Sequence, residues 1–351
     1  MRNIIILMSA IMLFGCSEDY KKKLSPKSLE IEKSLTRLSE DMAASTAAGG
    51  GVISPELRRK KVNEFLKNHE GPSDKVHLVK NMTVENRTDS HRIPIRLYIS
   101  DNSHRVVLFA HGGGWVQGST ETHDYLCRKI ANKLKAHVVS VDYRLAPEYK
   151  YPTQLNDFTS VYKWCISENS AYELGKIKEI ILAGDSVGGN LVAAFFLKLK
   201  QTGETNLPRA QLLFYPALSD DISSESFKKF GKMIALTTES CKFFMSQYTG
   251  VPFSELGGAS DKTKHDKFIY PILGDAQEFP HTYVVSAECD VLSDSHRKFV
   301  QKLKSNKKIS AEHLTLSGTM HGFMNCGKEF DAEISNILEK IAKWVDSLPH
   351  N

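Results

Sequence analysis

Apolar and polar residues follow two different patterns along this chain, and the change comes near residue 77. Before it, charged segments such as SLEIEKSLTRLSEDMA carry apolar residues at partly helical spacing. A Ser-Pro-Glu sequence at 54–56 predicts the start of a second helix, because serine caps helices and proline fits their first turn. After residue 77 the pattern is typical of a domain in which strands and helices alternate, and we place that domain at 77–348.

Eight runs rich in β-branched and aromatic residues predict the strands of this domain. These runs are 77–84, 94–99, 105–110, 137–141, 179–183, 210–215, 282–286 and 312–316. Helical patterns lie at about 122–135, 154–168, 189–201, 294–305 and 329–347. Strands that alternate with helices form a mostly parallel sheet with helices on both faces. No helix separates the first two strands, so we expect them to form an antiparallel edge.

One interval, from about 217 to 275, interrupts this alternation because it contains no clear strand. Unstructured loops of that length are uncommon in compact domains. The interval is therefore predicted to form helices that pack over another part of the domain.

The first residues, MRNIIILMSAIMLFG at 1–15, have the pattern of a signal peptide. Their apolar stretch is shorter than the roughly 20 residues needed to cross a membrane. Leu13 and Gly15 stand at positions −3 and −1 from Cys16, which resembles a bacterial lipobox. The resemblance implies that Cys16 becomes a lipidated first residue, and that the exported protein is anchored to a bacterial membrane in the periplasm or at the cell surface. An ordinary secretory signal with a chance cysteine is the alternative.

Composition limits the other classes of partner. The chain has 351 residues and a formal net charge of +5. Lysine runs such as 21–23 contain no interleaved aromatic residues, so we expect no nucleic-acid partner. None of the cysteines forms a CxxC motif or a Cys/His pair with metal-ligand spacing, so we expect no metal. Disulfide pairing and oligomeric state stay open.

The segment IILAGDSVGGNLVAAFF places GDSVG, residues 184–188, between a β-rich run and a helical pattern. A G-x-S-x-G match alone is a weak signal, but a strand before it and a helix after it are typical of a nucleophile elbow. The tight turn exposes the serine Oγ, and the helix N-terminus directs free N–H groups and a positive dipole end at the same point. Ser186 is therefore the candidate nucleophile.

A serine hydroxyl needs a general base, and the base needs an acid that orients it. With this elbow the partners follow in the order Ser, Asp or Glu, His, each just after a later strand. Asp290 and His321 stand in such places. The rivals are less well placed: Asp294 lies one helical turn further on, His296 within a predicted helix and His313 within a predicted strand.

Three glycines at 112–114 follow the third predicted strand in AHGGGWVQGS. An α/β-hydrolase places half of its oxyanion hole here, where backbone N–H groups stabilise the negative charge formed during acyl transfer. A glycine-rich turn made for close packing is the alternative. A phosphate-binding loop is disfavoured because no G-K-[ST] follows.

Five motifs occur in order: HGGGW at 111–115, VDYRLAPEYKYP at 141–152, GDSVGGN at 184–190, CDVLSD at 289–294 and HGF at 321–323. Together they resemble the hormone-sensitive-lipase-like branch of the α/β-hydrolases, the bacterial carboxylesterases related to arylacetamide deacetylase. The resemblance covers about 77–348 and implies an eight-stranded α/β-hydrolase fold. It also implies a helical cap. Residues 16–76, which include the tether, and the insertion at about 217–275 occupy the positions from which this family builds its cap.

The resemblance implies a role for each site residue. It implies Ser186 as nucleophile, His321 as general base and acid, Asp290 as orienting acid, and the backbone N–H groups of Gly113, Gly114 and Val187 as oxyanion donors. Valine replaces the family's usual alanine at 187, which keeps the donor and crowds the acyl side slightly. Alanine at Gly113 or Gly114 is then expected to damage turnover far more than folding.

The sequence therefore predicts a serine carboxylesterase that hydrolyses small esters with short acyl chains through an acyl-enzyme and needs no cofactor. Removal of acetyl groups and hydrolysis of lactones or amides are alternatives within the same fold. A third is a protein that binds a ligand without catalysis, as does a plant hormone receptor of this family that lacks the catalytic histidine.

Overall fold

The strands and helices follow the predicted alternation closely. The computed structural model describes residues 18–48, 53–86, 88–252, 254–255 and 263–349. Its strands are Leu78–Glu85 (β1), Arg92–Ile99 (β2), Arg105–Ala110 (β3), His137–Val141 (β4), Glu179–Asp185 (β5), Ala210–Phe214 (β6), His281–Cys289 (β7) and Ala311–Met320 (β8). Its α-helices are Pro26–Ala48 (α1), Pro55–Asn68 (α2), Asp124–Leu134 (α3), Thr153–Cys165 (α4), Ala171–Leu174 (α5), Val187–Thr202 (α6), Glu225–Phe230 (α7), Thr238–Thr249 (α8), Ser293–Leu303 (α9) and Gly327–Ser347 (α10).

The strands form one sheet in the order β1-β2-β4-β3-β5-β6-β7-β8. β1 pairs antiparallel with β2, and β2 pairs antiparallel with β4. All pairs from β4 to β8 are parallel. The predicted eight-stranded, mostly parallel sheet with an antiparallel edge is therefore confirmed.

Alternate residues of the central strands face two separate hydrophobic cores. In β3, Val107 and Phe109 pack on the face covered by α3 and α10. Val106, Leu108 and Ala110 pack on the opposite face, under α4, α6 and α9. Successive side chains of a strand point to opposite faces, so a run that is apolar at every position belongs in a sheet covered on both sides. Parallel pairing from β4 to β8 places the carboxyl ends of these strands along one edge of the sheet.

Three of the parallel strands are longer than their predicted runs at the carboxyl end, and each extension reaches a candidate site residue. β5 ends at Asp185, one residue before Ser186. β7 ends at Cys289, directly before Asp290, and β8 ends at Met320, directly before His321. The extensions contain glycine and polar residues with weak strand propensity. Pairing with neighbouring strands, as between Cys289 and Met320, keeps them extended.

Helices from both predicted cap segments pack beside the loop that follows β3. The Ser54 side chain accepts a hydrogen bond from the Leu57 N–H and so caps α2, as the Ser-Pro-Glu sequence predicts. From α2, the Arg59 guanidinium donates to the carbonyl oxygens of Val116 and Ala146. From the 217–275 interval, the Phe244 ring on α8 lies against Gly114. The division into a cap and a hydrolase domain stays a prediction.

The predicted signal peptide and Cys16 lie outside the described residues, and lipidation stays a prediction. Within the described ranges, no helix combines the length and the apolar character needed to cross a bilayer.

Candidate active site

Ser186 lies in a sharp turn between β5 and α6. Its backbone has φ 54° and ψ −120°, a conformation that residues other than glycine rarely adopt and that costs about 1–3 kcal/mol. Two hydrogen bonds hold it there: the Ser186 N–H donates to the Phe214 carbonyl at 2.8 Å, and the Ser186 carbonyl accepts from the Ala217 N–H at 3.0 Å. The turn thus presents the side chain at the carboxyl edge of the sheet, as a nucleophile elbow does.

The glycines of the G-x-S-x-G segment let this turn pass close to its neighbours. A Cβ at Gly188 would lie 2.1 Å from the Ala110 carbonyl oxygen at the end of β3. A Cβ at Gly184 would lie 2.5 Å from the carbonyl carbon and oxygen of Gly188. Both positions therefore exclude any side chain, which explains the spacing of the motif around Ser186.

The structure brings the three candidate catalytic side chains into one hydrogen-bonded chain. His321 Nε2 lies 2.9 Å from Ser186 Oγ, and His321 Nδ1 lies 2.7 Å from Asp290 Oδ2. An ionised carboxylate only accepts hydrogen bonds, so Nδ1 carries the proton that faces Asp290. In the neutral imidazole, Nε2 is then free to accept the serine proton.

Asp290 is fully buried, and its other oxygen, Oδ1, accepts a hydrogen bond from the Leu292 N–H at 2.9 Å. Burial alone would raise the pKa of this carboxyl group. The positive charge and hydrogen bond of His321, with smaller contributions from His296 and the Leu292 N–H, outweigh burial and hold the pKa of Asp290 below its ordinary value. The group is therefore an anion at neutral pH, able to orient His321.

The rival residues make other contacts. Asp294, in the first turn of α9, accepts a hydrogen bond from the Ser226 N–H and pairs with Arg297. His313 Nε2 and His296 Nδ1 both contact Ser286 Oγ, at 2.8 Å and 2.9 Å. His296 Nε2 donates to the Pro216 carbonyl at 2.9 Å. These contacts give the rivals structural roles beside the site.

Among the described residues, one N–H group of the glycine run after β3 has a protein acceptor and two have none. The Gly112 N–H donates to Asp185 Oδ1 at 2.8 Å. In the part of the chain that the structure describes, the N–H groups of Gly113, Gly114 and Val187 donate to no protein acceptor. These three are the groups that the family resemblance implies as oxyanion donors.

Backbone conformation and close packing also favour glycine at two of these positions. Gly113 and Gly114 have φ of +114° and +65°. A Cβ at Gly113 would lie 2.2 Å from the Gln117 carbonyl oxygen, and a Cβ at Gly114 would lie 2.4 Å from the Phe244 ring. Alanine at either position would therefore disturb the loop itself. Such variants are therefore expected to lose stability as well as turnover, and how the loss divides between the two stays a prediction.

A buried carboxylate that the sequence analysis passed over joins the loops of the site. Asp185 accepts hydrogen bonds from the Gly112 N–H and from Asn325 Nδ2, at 2.8 Å and 3.0 Å, and His123 Nε2 lies 3.1 Å away. Burial raises the pKa of Asp185, but His123, Asn325 and Gly112 outweigh it and the pKa is lowered. The available signal was a charged residue in a β-strand end that is otherwise apolar or small.

Two other histidines near the site are fully buried. Burial lowers the pKa of His111, with a further contribution from His123, to about 3. Burial likewise lowers the pKa of His296 to about 4. Both rings are therefore neutral at physiological pH.

These two histidines predict that the free energy of unfolding decreases as the pH falls from about 6.5 towards 4. An unfolded histidine titrates near 6.5, so in that window the unfolded chain binds protons that the folded chain does not. Within this window, each ring lowers the free energy of unfolding by about 1.4 kcal/mol for every unit that the pH falls. Above the pKa of the unfolded chain, near 6.5, both rings are neutral in either state and their full contribution to stability is present. Denaturant unfolding at several pH values measures the slope. His296→Gln keeps a donor for Pro216 and should reduce the slope, so an unchanged slope would contradict the assignment.

The described residues include the kinds of side chain that bind metal ions in proteins. No group of three or more His, Cys, Asp or Glu side chains there is arranged to hold a metal ion. The cysteines in those ranges, Cys127, Cys165, Cys241, Cys289 and Cys326, are unpaired.

Comparisons with known proteins agree with this fold. A family model described as alpha/beta hydrolase fold matches residues 107–325. Ethyl acetate hydrolase of Pseudomonas putida is 28% identical over 78% of this chain and 86% of its own length. A carboxylesterase of Mycobacterium tuberculosis is 33% identical over 71% of this chain and 77% of its own. The solved structure of a Pyrobaculum calidifontis esterase is 29% identical, with a TM-score of 0.74 over 85% of this chain and 94% of that chain.

Proposed function

The chain belongs to the hormone-sensitive-lipase-like family of α/β-hydrolases, and we propose that it is a serine carboxylesterase acting on small esters with short acyl chains. The observation that carries the proposal is the position of His321, whose two ring nitrogens reach Ser186 Oγ and Asp290 Oδ2. A purely ligand-binding protein has no need of a base in contact with a serine hydroxyl. The names of two similar proteins, an ethyl acetate hydrolase and a carboxylesterase, support ester substrates.

In the proposed reaction, Ser186 Oγ attacks the ester carbonyl carbon while His321 Nε2 takes the hydroxyl proton. Negative charge forms on the carbonyl oxygen, where the N–H groups of Gly113, Gly114 and Val187 would stabilise it. The C–O bond to the alcohol then breaks, and His321 gives its proton to the departing oxygen. Asp290 stabilises the imidazolium between the two transfers without taking the proton.

The second half of the reaction releases the acid. Water attacks the acyl-enzyme while His321 takes one of its protons, and the bond to Ser186 Oγ breaks. His321 then returns that proton to the serine. Hydrolysis of the ester thus restores every group on the enzyme, and no step requires a cofactor.

Hydrolysis of p-nitrophenyl acetate and butyrate by the purified protein tests the proposal. We expect saturable turnover and covalent labelling by a fluorophosphonate, with the label on the tryptic peptide that contains Ser186. Excess p-nitrophenyl butyrate should protect that peptide if substrate and label share the site. A protein that neither hydrolyses these esters nor takes the label would overturn the proposal. Faster turnover of amides or lactones than of every ester would instead show that esters are not the preferred substrates.

A further inference from the structure

The two sides of Ser186 have different surroundings. On one side lies His321, whose ring contacts Tyr215 with 4.9 Å between centroids, and Tyr215 in turn contacts Phe323. The next residue along the chain, Val187, packs in a different, small cluster with Trp115, Tyr248, Ile269 and Tyr270, which we call the acyl-side cluster. Neither Tyr215 nor Phe323 belongs to the acyl-side cluster.

Reaction geometry assigns the two sides to the two parts of an ester. The departing alcohol oxygen must reach His321 Nε2, because it receives its proton there. The carbonyl oxygen must point at the free N–H groups of the glycine loop. The acyl chain therefore leaves the reacting carbon on the side away from His321, towards the acyl-side cluster.

The acyl-side cluster is already filled by its own side chains. Trp115 and Tyr248 stack with ring centroids 4.1 Å apart and an angle of 5° between the rings. Trp115 is 2% exposed and Val187 is 4% exposed. Close-packed side chains of this kind leave little space for an added alkyl chain.

Phe244 stands where this cluster meets the rest of the site. Its half-buried ring packs against both the acyl-side cluster and the core that contains Tyr215. The same ring lies directly on Gly114, since a Cβ built there would be 2.4 Å from it. Ala217, whose N–H donates to the Ser186 carbonyl, contacts the same two groups of side chains from the loop after β6.

We propose that Phe244 is the residue that limits the length of the acyl chain, by occupying the space that a longer chain would need beside Gly114 and the acyl-side cluster. The proposal rests on the proposed esterase function and names a specificity residue within it. Phe244 takes no part in proton transfer. Removing its ring should therefore change which ester is preferred without removing activity on acetate.

Phe243, the preceding residue on α8, provides a matched control. The Arg58 guanidinium lies 4.9 Å from the centre of its ring. Phe243 belongs neither to the acyl-side cluster nor to the side chains that pack on it. The rings of Phe243 and Phe244 also contact each other edge-on, with centroids 5.6 Å apart. Truncation at 243 therefore removes the same kind of ring from the same helix, and one neighbour of Phe244, while the Phe244 ring itself stays against Gly114.

The test compares wild type, Phe244→Ala, Phe244→Leu and Phe243→Ala in two substrate series. In the first, p-nitrophenyl acetate, butyrate, hexanoate and octanoate vary the acyl chain. We expect Phe244→Ala to raise the octanoate-to-acetate ratio of kcat/KM by about 10-fold or more, with a smaller rise in Phe244→Leu. Phe243→Ala should keep the wild-type ratio.

The second series separates the acyl side from the alcohol side. Ethyl, butyl and octyl acetate vary only the alcohol, and Phe244→Ala should leave their relative rates unchanged. An unchanged acyl ratio, an equal change in Phe243→Ala, or a change confined to the alcohol series would each overturn the proposal. If Phe244→Ala does not fold, Phe244→Leu alone decides. Wild-type protein that hydrolyses none of these esters would instead refute the esterase function itself.

Discussion

Replacing Ser186 with alanine is expected to lower kcat for p-nitrophenyl acetate by at least about 10⁴-fold, as removal of a triad nucleophile does in other hydrolases. The change removes only Oγ, which contacts His321 Nε2. The backbone hydrogen bonds to Phe214 and from Ala217 do not involve the side chain, so the elbow should keep its shape. We therefore expect loss of turnover without loss of fold.

The measurement is steady-state hydrolysis beside a thermal melt and fluorophosphonate labelling of the same preparations. Ser223→Ala, at an exposed serine in the loop before α7, serves as the matched control and should match wild type. Retention of more than a few per cent of wild-type turnover in well-folded Ser186→Ala would place the nucleophile elsewhere.

Replacing Asp290 with asparagine is expected to lower kcat by about 10⁴-fold, and the structure indicates why. The Leu292 N–H donates to Oδ1 of Asp290, so an amide at 290 would keep its oxygen at that position. Its NH₂ group would then replace Oδ2 and face His321 Nδ1 as a donor. Nδ1 would have to accept, which moves the imidazole proton to Nε2. In that tautomer His321 cannot take the serine proton.

Asp294→Asn is the control, since it changes the rival carboxylate in the same way. That side chain contacts the Ser226 N–H and Arg297, not His321. Its kcat should stay within a few-fold of wild type. Equal losses of kcat in the two variants would show that the negative charge of this region matters, and that Asp290 has no specific orienting role.

Some residues of the site can be predicted from the sequence, and others cannot. The triad candidates follow from their order along the chain and their places after strands, because parallel strands end at one edge of a sheet. The rivals Asp294, His296 and His313 are set aside on the same grounds. The role of Asp185 could not be predicted from the sequence, because its contacts with Gly112 and Asn325 join segments far apart in the chain. Phe244 cannot be identified in this way, because nothing in the sequence of α8 indicates which of its apolar residues packs against Gly114.

The order of residues along the chain is enough to predict the alternation of strands and helices, the mostly parallel sheet and the G-x-S-x-G elbow. These depend on periodicity and on local turn chemistry, which are properties of neighbouring residues. The extension of the strands to Asp185, Cys289 and Met320 needed the folded molecule, since long-range pairing overrides their weak local propensity. So did the finding that a Cβ at Gly113 or Gly114 would collide with Gln117 or Phe244. Such distances depend on how separate segments pack, and no short stretch of sequence contains them.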